Sequence, residues 1–347
     1  MADLILPPSL HIANSKVRYI DNTGVSVGAY TGFVKTASLG GDRLAMAMTF
    51  TTVGGASSGG RQDRAVLTAF MAWLRGRQAR FYSWDRSYRQ RGSFPATELL
   101  ANPEMSGTTN WSSPGGIAAL TASSQVMRST LVATSADTTI RADSVSVTNG
   151  AAYAIRAMVN TGKGPLKYRA NLGSTAGATD YAVSAADITS DSLTTACGTV
   201  GSTTAHASIA QKITGSPASA VGDFMQIAYA SLSRCARANG AASAGASGML
   251  LKNLPTSTDD LLMTGDQVEV ITANGSELKI LSAPLNSDSS GYGYVLFNPP
   301  LRGAAGDNAI VIIYRPCGRW VCSGQVPEWS NDPGVITSAT LEFEEAA

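Results

Sequence analysis

Apolar residues fall at Val66, Leu67, Phe70, Met71, Trp73 and Leu74. Spacings of three and four predict an amphipathic helix over residues 61–77, the one convincing helix of the chain. Elsewhere the period is two. Residues 80–84 alternate as a strand does after the helix, and residues 44–53 read as a strand before it. Through the middle, short apolar runs at 145–147, 153–159, 166–172 and 224–232 are separated by Gly, Asn, Ser and Thr clusters. Such spacing predicts an antiparallel β-sandwich. Towards the end, runs at 267–271 and 277–281 flank Asn274-Gly275, a hairpin signal, because both residues tolerate positive φ. Further strands are expected at 292–297, stopped by Pro299-Pro300, at 309–314 and at 337–343. In that last strand Leu341 and Phe343 should face inward, with Glu342 and Glu344 outward. The fold class is therefore mainly β with one helix.

Composition changes along the chain and divides it. Residues 238–248, Ala-Asn-Gly-Ala-Ala-Ser-Ala-Gly-Ala-Ser-Gly, read as a small-residue hinge. Residues 89–95 are polar and end in proline, after which the sequence becomes rich in Ser, Thr, Ala and Gly. These boundaries predict an inserted domain at 96–246 and a discontinuous β-rich domain made of 1–95 and 247–347. Charge agrees with the division. Residues 1–91 hold 12 basic and 5 acidic side chains, residues 247–347 hold 5 basic and 12 acidic, and the centre is nearly balanced. Opposite flanks should attract, either within one interrupted domain or between neighbouring copies of an assembly.

With 347 residues there is chain enough for two cores, while a net charge of +1 favours neither nucleic acid nor an anionic membrane surface. No stretch approaches the roughly 20 apolar residues of a membrane span. Met1 to Leu10 carries prolines where a signal core would lie, so synthesis and folding in the cytoplasm are expected. There the four cysteines, Cys197, Cys235, Cys317 and Cys322, should be small buried side chains with free thiols. Cys317 and Cys322 could meet only across a tight hairpin.

Catalytic constellations are missing. His11 and His206 sit in no setting that would activate a serine, and no Gly-x-Ser-x-Gly elbow occurs. The loop 54–60 is glycine-rich but ends in Gly60-Arg61-Gln62, without the Lys-Ser/Thr that serves phosphate and magnesium. Asp137, Asp143, Asp180, Asp187, Asp191 and Asp223 supply carboxylates that glycoside cleavage could use, although loop acids of a sandwich mostly form turns. No zinc or calcium spacing is present, so no metal and no cofactor are expected. Among the sandwich aromatics, Trp111, Tyr168 and Tyr181 are the candidates for stacking on a sugar. Tyr153 and Tyr229 fit a core, and Trp84, Trp320 and Trp329 fit structural anchors of the flanks.

The helix running into Arg80-Phe81-Tyr82-Ser83-Trp84-Asp85, then Gly265-Asp266-Gln267-Val268-Glu269-Val270, Phe297-Asn298-Pro299-Pro300-Leu301-Arg302 and the acidic-hydrophobic last strand resemble distal tail proteins of long-tailed bacteriophages. The middle, with Leu99-Leu100-Ala101-Asn102-Pro103 and Asn110-Trp111, resembles the carbohydrate-binding-module or galectin-like sandwiches inserted in some members. This resemblance implies a belt domain from the two flanks, a hexameric ring between tail tube and tail tip, an axial channel through which DNA passes, and a peripheral domain for host surface glycans. It implies a virion structural protein and no enzyme. Alternatives are a glycan-binding adsorption module, a tail-tube protein with a decorating domain, and a polysaccharide hydrolase.

Overall fold

The computed structural model describes residues 4–6, 10, 12–20, 23–27, 34–38, 42–51, 58–74, 79–123, 126–133, 137–164, 167–184, 192–212, 219–323, 330–331 and 337–346. The protein is mainly β, with one α-helix among the described residues and antiparallel sheets that include a sandwich.

Both ends of the chain meet in one sheet. Its order is Leu4–Ile5, Arg80–Trp84, Cys317–Cys322, Thr337–Glu345, Arg43–Thr51 and Ile12–Ile20, so strands from the two flanks interleave. The helix spans Ser58–Leu74, starting three residues before the expected range. Leu67, Phe70, Met71 and Leu74 turn onto the sheet and join Phe50, Phe81, Trp320 and Phe343 in a common core. Phe81 and Phe343 meet edge-on with ring centroids 4.8 Å apart, a favourable aromatic geometry. The last strand alternates as its sequence dictates: Leu341 and Phe343 are buried, while Glu342 and Glu344 face out to Arg18 (3.1 Å) and Arg43 (2.8 Å). The opposite charges of the flanks thus meet inside one molecule.

The centre is a two-layer sandwich. One layer holds Ala182–Val183, Lys167–Gly173, Thr204–Lys212, Thr138–Ala142 and Trp111–Ser112 in that order. The facing layer contains Ser192–Thr199, Ala152–Lys163 and Phe224–Ala238, with Val126–Leu131 and Ala118–Ser123 added beside the last of these. Small and branched side chains such as Ala157, Ile155, Ala207 and Ile209 fill the space between.

Strand Phe224–Ala238 is longer than expected and belongs to two structures at once. Its first part pairs with Ala152–Lys163, and its last residues pair with Gly248–Lys252 on one side and Ile310–Ile312 on the other. From there the ladder passes through Gly293–Asn298, Gly275–Leu281 and Gln267–Thr272 and returns to Ile310–Ile312, which closes a six-stranded barrel around its own core. The flanks therefore build two cores, one under the helix and one in the barrel.

The segment expected to be a hinge is held by its backbone: Asn239 N donates to Leu250 O (2.8 Å), Ala242 N to Ala305 O (2.8 Å) and Gly245 N to Leu301 O (2.7 Å). Its small side chains suit a backbone laid closely over the barrel. At the predicted turn only Gly275 takes positive φ, at 108°, opening the second strand of the hairpin.

Candidate functional site

The three aromatic candidates do not form a platform. Trp111 is 6% exposed and its indole N–H donates to Asn102 O at 3.3 Å. Tyr168 is fully buried, its hydroxyl 3.0 Å from Ser192 Oγ. Tyr181 is half-buried against the same core and donates to Ser202 Oγ at 3.0 Å. Trp111 and Tyr168 occupy inward-facing positions on separate strands of one layer, so the sheet's alternation turns their rings away from any sugar. This corrects the expected stacking roles of Trp111 and Tyr168, and it leaves Tyr181 at the margin of the core with its hydroxyl engaged.

The carboxylates are held apart in the same way. Asp137 pairs with Lys212 (2.9 Å), Asp180 accepts from Ser174 N (2.9 Å) and Asp223 accepts from Ala220 N (2.8 Å). Each stabilises a local turn or an edge. Asp187 and Asp191 lie outside the described residues, as do His11, Trp329 and most of the glycine loop 54–60. Among the described residues no group of three or more His, Cys, Asp or Glu could hold a metal ion.

Cys317 and Cys322 stand at the two ends of one strand and cannot pair. Burial pushes the Cys317 thiol up to about 12. Cys197 and Cys235 bring their Sγ atoms to 3.2 Å, beyond the ~2.05 Å of a disulfide bond. All four cysteines are thiols.

A built recess lies where the first sheet, the sandwich and the barrel adjoin. Strand Arg80–Trp84 ends there, and Trp84 rests on Tyr229 of the sandwich with ring centroids 5.6 Å apart. Asp85 fixes the following turn by accepting from Ser87 N (2.9 Å) and from the hydroxyls of Ser87 and Ser15. Asp266 gathers the segment beyond it: its carboxylate accepts from Arg91 N (2.9 Å), Gly92 N (3.0 Å) and Met263 N (2.8 Å), while the Tyr88 hydroxyl donates to it at 3.2 Å. A carboxylate with that many donors is a fixed joint.

Two guanidiniums converge on the Trp84 ring, Arg86 at 5.5 Å and Arg315 at 5.1 Å from its centroid. Both lie within the reach of cation–π attraction. Arg315 also stands 5.3 Å from the Tyr314 ring and pairs with Glu104 of the sandwich at 3.2 Å. Its backbone has φ 45°, a conformation costly for an arginine, which aims the side chain into the recess. Burial pulls Arg86 below its ordinary value. The recess has a volume of about 440 Å³, within the ~300–1,000 Å³ of ordinary ligand pockets. Sequence reading missed it because residues 89–95 read only as a polar boundary. The available signal was Trp84 followed by Arg86, Arg89 and Arg91.

The class that fold and site define is a mainly β protein in which a sandwich and a closed barrel share a strand, with a basic recess at their junction. No family model and no curated protein matches the chain. Similar solved structures include the CBM22-1 and GH10 modules of Clostridium thermocellum endo-1,4-β-D-xylanase 10B with xylohexaose, 11% identical, covering 41% of this chain and 28% of that one, TM-score 0.28. TmCBM61 in complex with β-1,4-galactotriose is 11% identical over 40% of this chain and 99% of its own, TM-score 0.29. The enzymatically active domain of bacteriophage CBA120 tailspike protein 4 is 10% identical over 40% of this chain and 21% of its own, TM-score 0.30. Scores of this size carry no argument about function.

Proposed function

We propose that the protein is a structural component of a bacteriophage tail, a non-enzymatic ring former at the distal end of the tail tube with the sandwich as its peripheral domain. The observation that supports this reading is the interleaving of the two flanks in one sheet, as a belt domain built from both flanks would require. Its motif residues sit at the joints: Asp266 clamps residues 91–92, and Arg302, after the two prolines, meets Glu345 of the last strand at 3.2 Å. Arg18 and Arg43 are paired with Glu342 and Glu344 within the chain, so these two pairs are not what would hold copies together.

The surface that a second copy would cover is apolar. On the outside of the barrel, Leu250 stands opposite Tyr294, with Leu296 two residues along; they are 37%, 58% and 42% exposed. Contiguous exposed apolar side chains mark association sites more often than chance exposure does. Light scattering of the purified chain at low and high salt tests the reading. A mass six times that of the chain, unchanged or strengthened by salt, supports it. A monomer under all conditions, and equally a ring that salt dissolves, speaks against an apolar contact between copies. A second reading, a glycan-binding module acting in adsorption, is favoured by the recess at Trp84.

A further inference from the structure

We infer that the recess beside Trp84 binds a monoanionic sugar, a ring of the uronic acid class whose carboxylate sits between Arg86 and Arg315. The inference goes beyond the ring reading and does not depend on it. Three arguments point the same way.

First, charge fixes the sign and size of the ligand's charge. The lining contains Arg86, Arg89 and Arg315 against Asp85 and Glu104, a net of one positive charge in a partly enclosed space. A carboxylate balances that, whereas a phosphate dianion would overshoot it. Asp85 is turned to serine hydroxyls and the backbone of its own turn, so Glu104 is the carboxylate that faces the guanidiniums.

Second, geometry suits a planar anion. The two guanidiniums approach a common indole, and a guanidinium fork recognises a carboxylate through paired hydrogen bonds. Glu104 already shows that Arg315 takes a carboxylate partner, at 3.2 Å. An external carboxylate would compete with it for the same donors.

Third, the walls suit a hydroxylated body. Apart from Ala96 and Ile313, the lining consists of aromatic, charged and amide side chains, including Tyr314 and Gln90. An aliphatic acid would find little to bury against, while a sugar ring can lay one face on Tyr314 and direct its hydroxyls to the polar rim.

Titration of the full chain with glucuronate, glucose and glucose 6-phosphate, followed by calorimetry and by tryptophan fluorescence, tests the inference. Glucuronate should bind at least about tenfold more tightly than glucose and more tightly than glucose 6-phosphate. Arg315→Gln should weaken glucuronate by about tenfold or more. Because that variant could also disturb the fold, Glu104→Gln is the sharper probe. Removing the competing carboxylate should tighten glucuronate several-fold, a gain that misfolding cannot produce. Equal binding of glucose and glucuronate, preference for the phosphate, no binding of any of the three, or weaker binding by Glu104→Gln would each overturn the inference. Mass in solution is read separately, so a ring that binds no uronate removes this inference alone.

Discussion

The sandwich and the barrel share a strand yet are stabilised by different means. Between the sandwich layers the core is mainly apolar and largely built from alanine, leucine and isoleucine, with one buried hydrogen bond between the layers from Ser129 to Gln211 (2.8 Å) and with Tyr168 and Trp111 tied to neighbouring backbone or hydroxyl oxygens. Around the barrel, charges are buried and matched. Arg156, reaching across from the sandwich, pairs with Glu269 at 2.6 Å, and Glu269 also accepts from Cys317 N and the Ser276 hydroxyl. Lys279 and Glu277 pair at 2.8 Å, with Arg302 N and Gly303 N donating to Glu277, while Leu278 N donates to Glu345. Although burial opposes it, Lys279 and these donors hold Glu277 below its ordinary value. Apolar packing tolerates small adjustments, whereas a buried ion pair is intolerant of losing one partner. The contrast suggests a division of labour in which the sandwich tolerates sequence change and the barrel junction fixes orientation.

Four measurements can break or sharpen that contrast. The largest effect should come from Arg156→Met, which leaves Glu269 buried without its cation and should cost about 3–5 kcal/mol in chemical denaturation. A loss near 1 kcal/mol would mean that the junction is looser than its geometry. Ile209→Val in the sandwich, by contrast, should cost about 0.5–1.5 kcal/mol. Finding the two equal would remove the distinction altogether.

Smaller still is a pH effect at Glu98. Its carboxyl caps Leu99 N, Leu100 N and Leu232 N and accepts from Ser231, and burial holds it above its ordinary 4.5. A raised folded value means that the native state binds the proton more readily. The stability from this group is full below 4.5 and is lost as pH rises through the folded value. Thermal melting should therefore show the wild type gaining on Glu98→Gln as pH falls from neutral towards 4.5; a constant difference would count against it. The smallest change is expected from Arg18→Gln, an exposed pair with Glu342 worth roughly 0–1 kcal/mol. If high salt erased more than that from the wild-type stability, the flank charges would matter collectively beyond their pairs.

Elements with a strong period could be read from the sequence. The helix was legible because six apolar residues keep its spacing, and the final strand because leucine and phenylalanine alternate with glutamate. The end of strand Phe224–Ala238 was not, since Ser233-Arg234-Cys235-Ala236-Arg237-Ala238 has no clear apolar face. Ser233, Cys235, Ala236 and Ala238 are buried by neighbours on both sides, and burial of that kind is a tertiary fact. Barrel closure depends on pairings such as Ala236 with Val311, far apart in the chain, that no local pattern announces. The site was least legible. Trp111 was a stacking candidate, yet its ring is buried, while Trp84, expected as a structural anchor of the flanks, also lines the recess.

The interleaved sheet also sets an order of events during synthesis. Thr49 and Thr340 lie side by side although 291 positions separate them. At about 5–20 residues per second, the ribosome needs roughly 15–60 s between making one and the other. The sandwich strands are all translated in that interval and can pair with one another. Strand Arg43–Thr51, with Leu44, Met46, Met48 and Phe50, must wait for its central neighbour Thr337–Glu345. The helix that follows can cover its apolar face early, but for that time one edge is open to chaperones or to the wrong partner. Strand Thr337–Glu345, made long after its neighbour, is the one that closes the body.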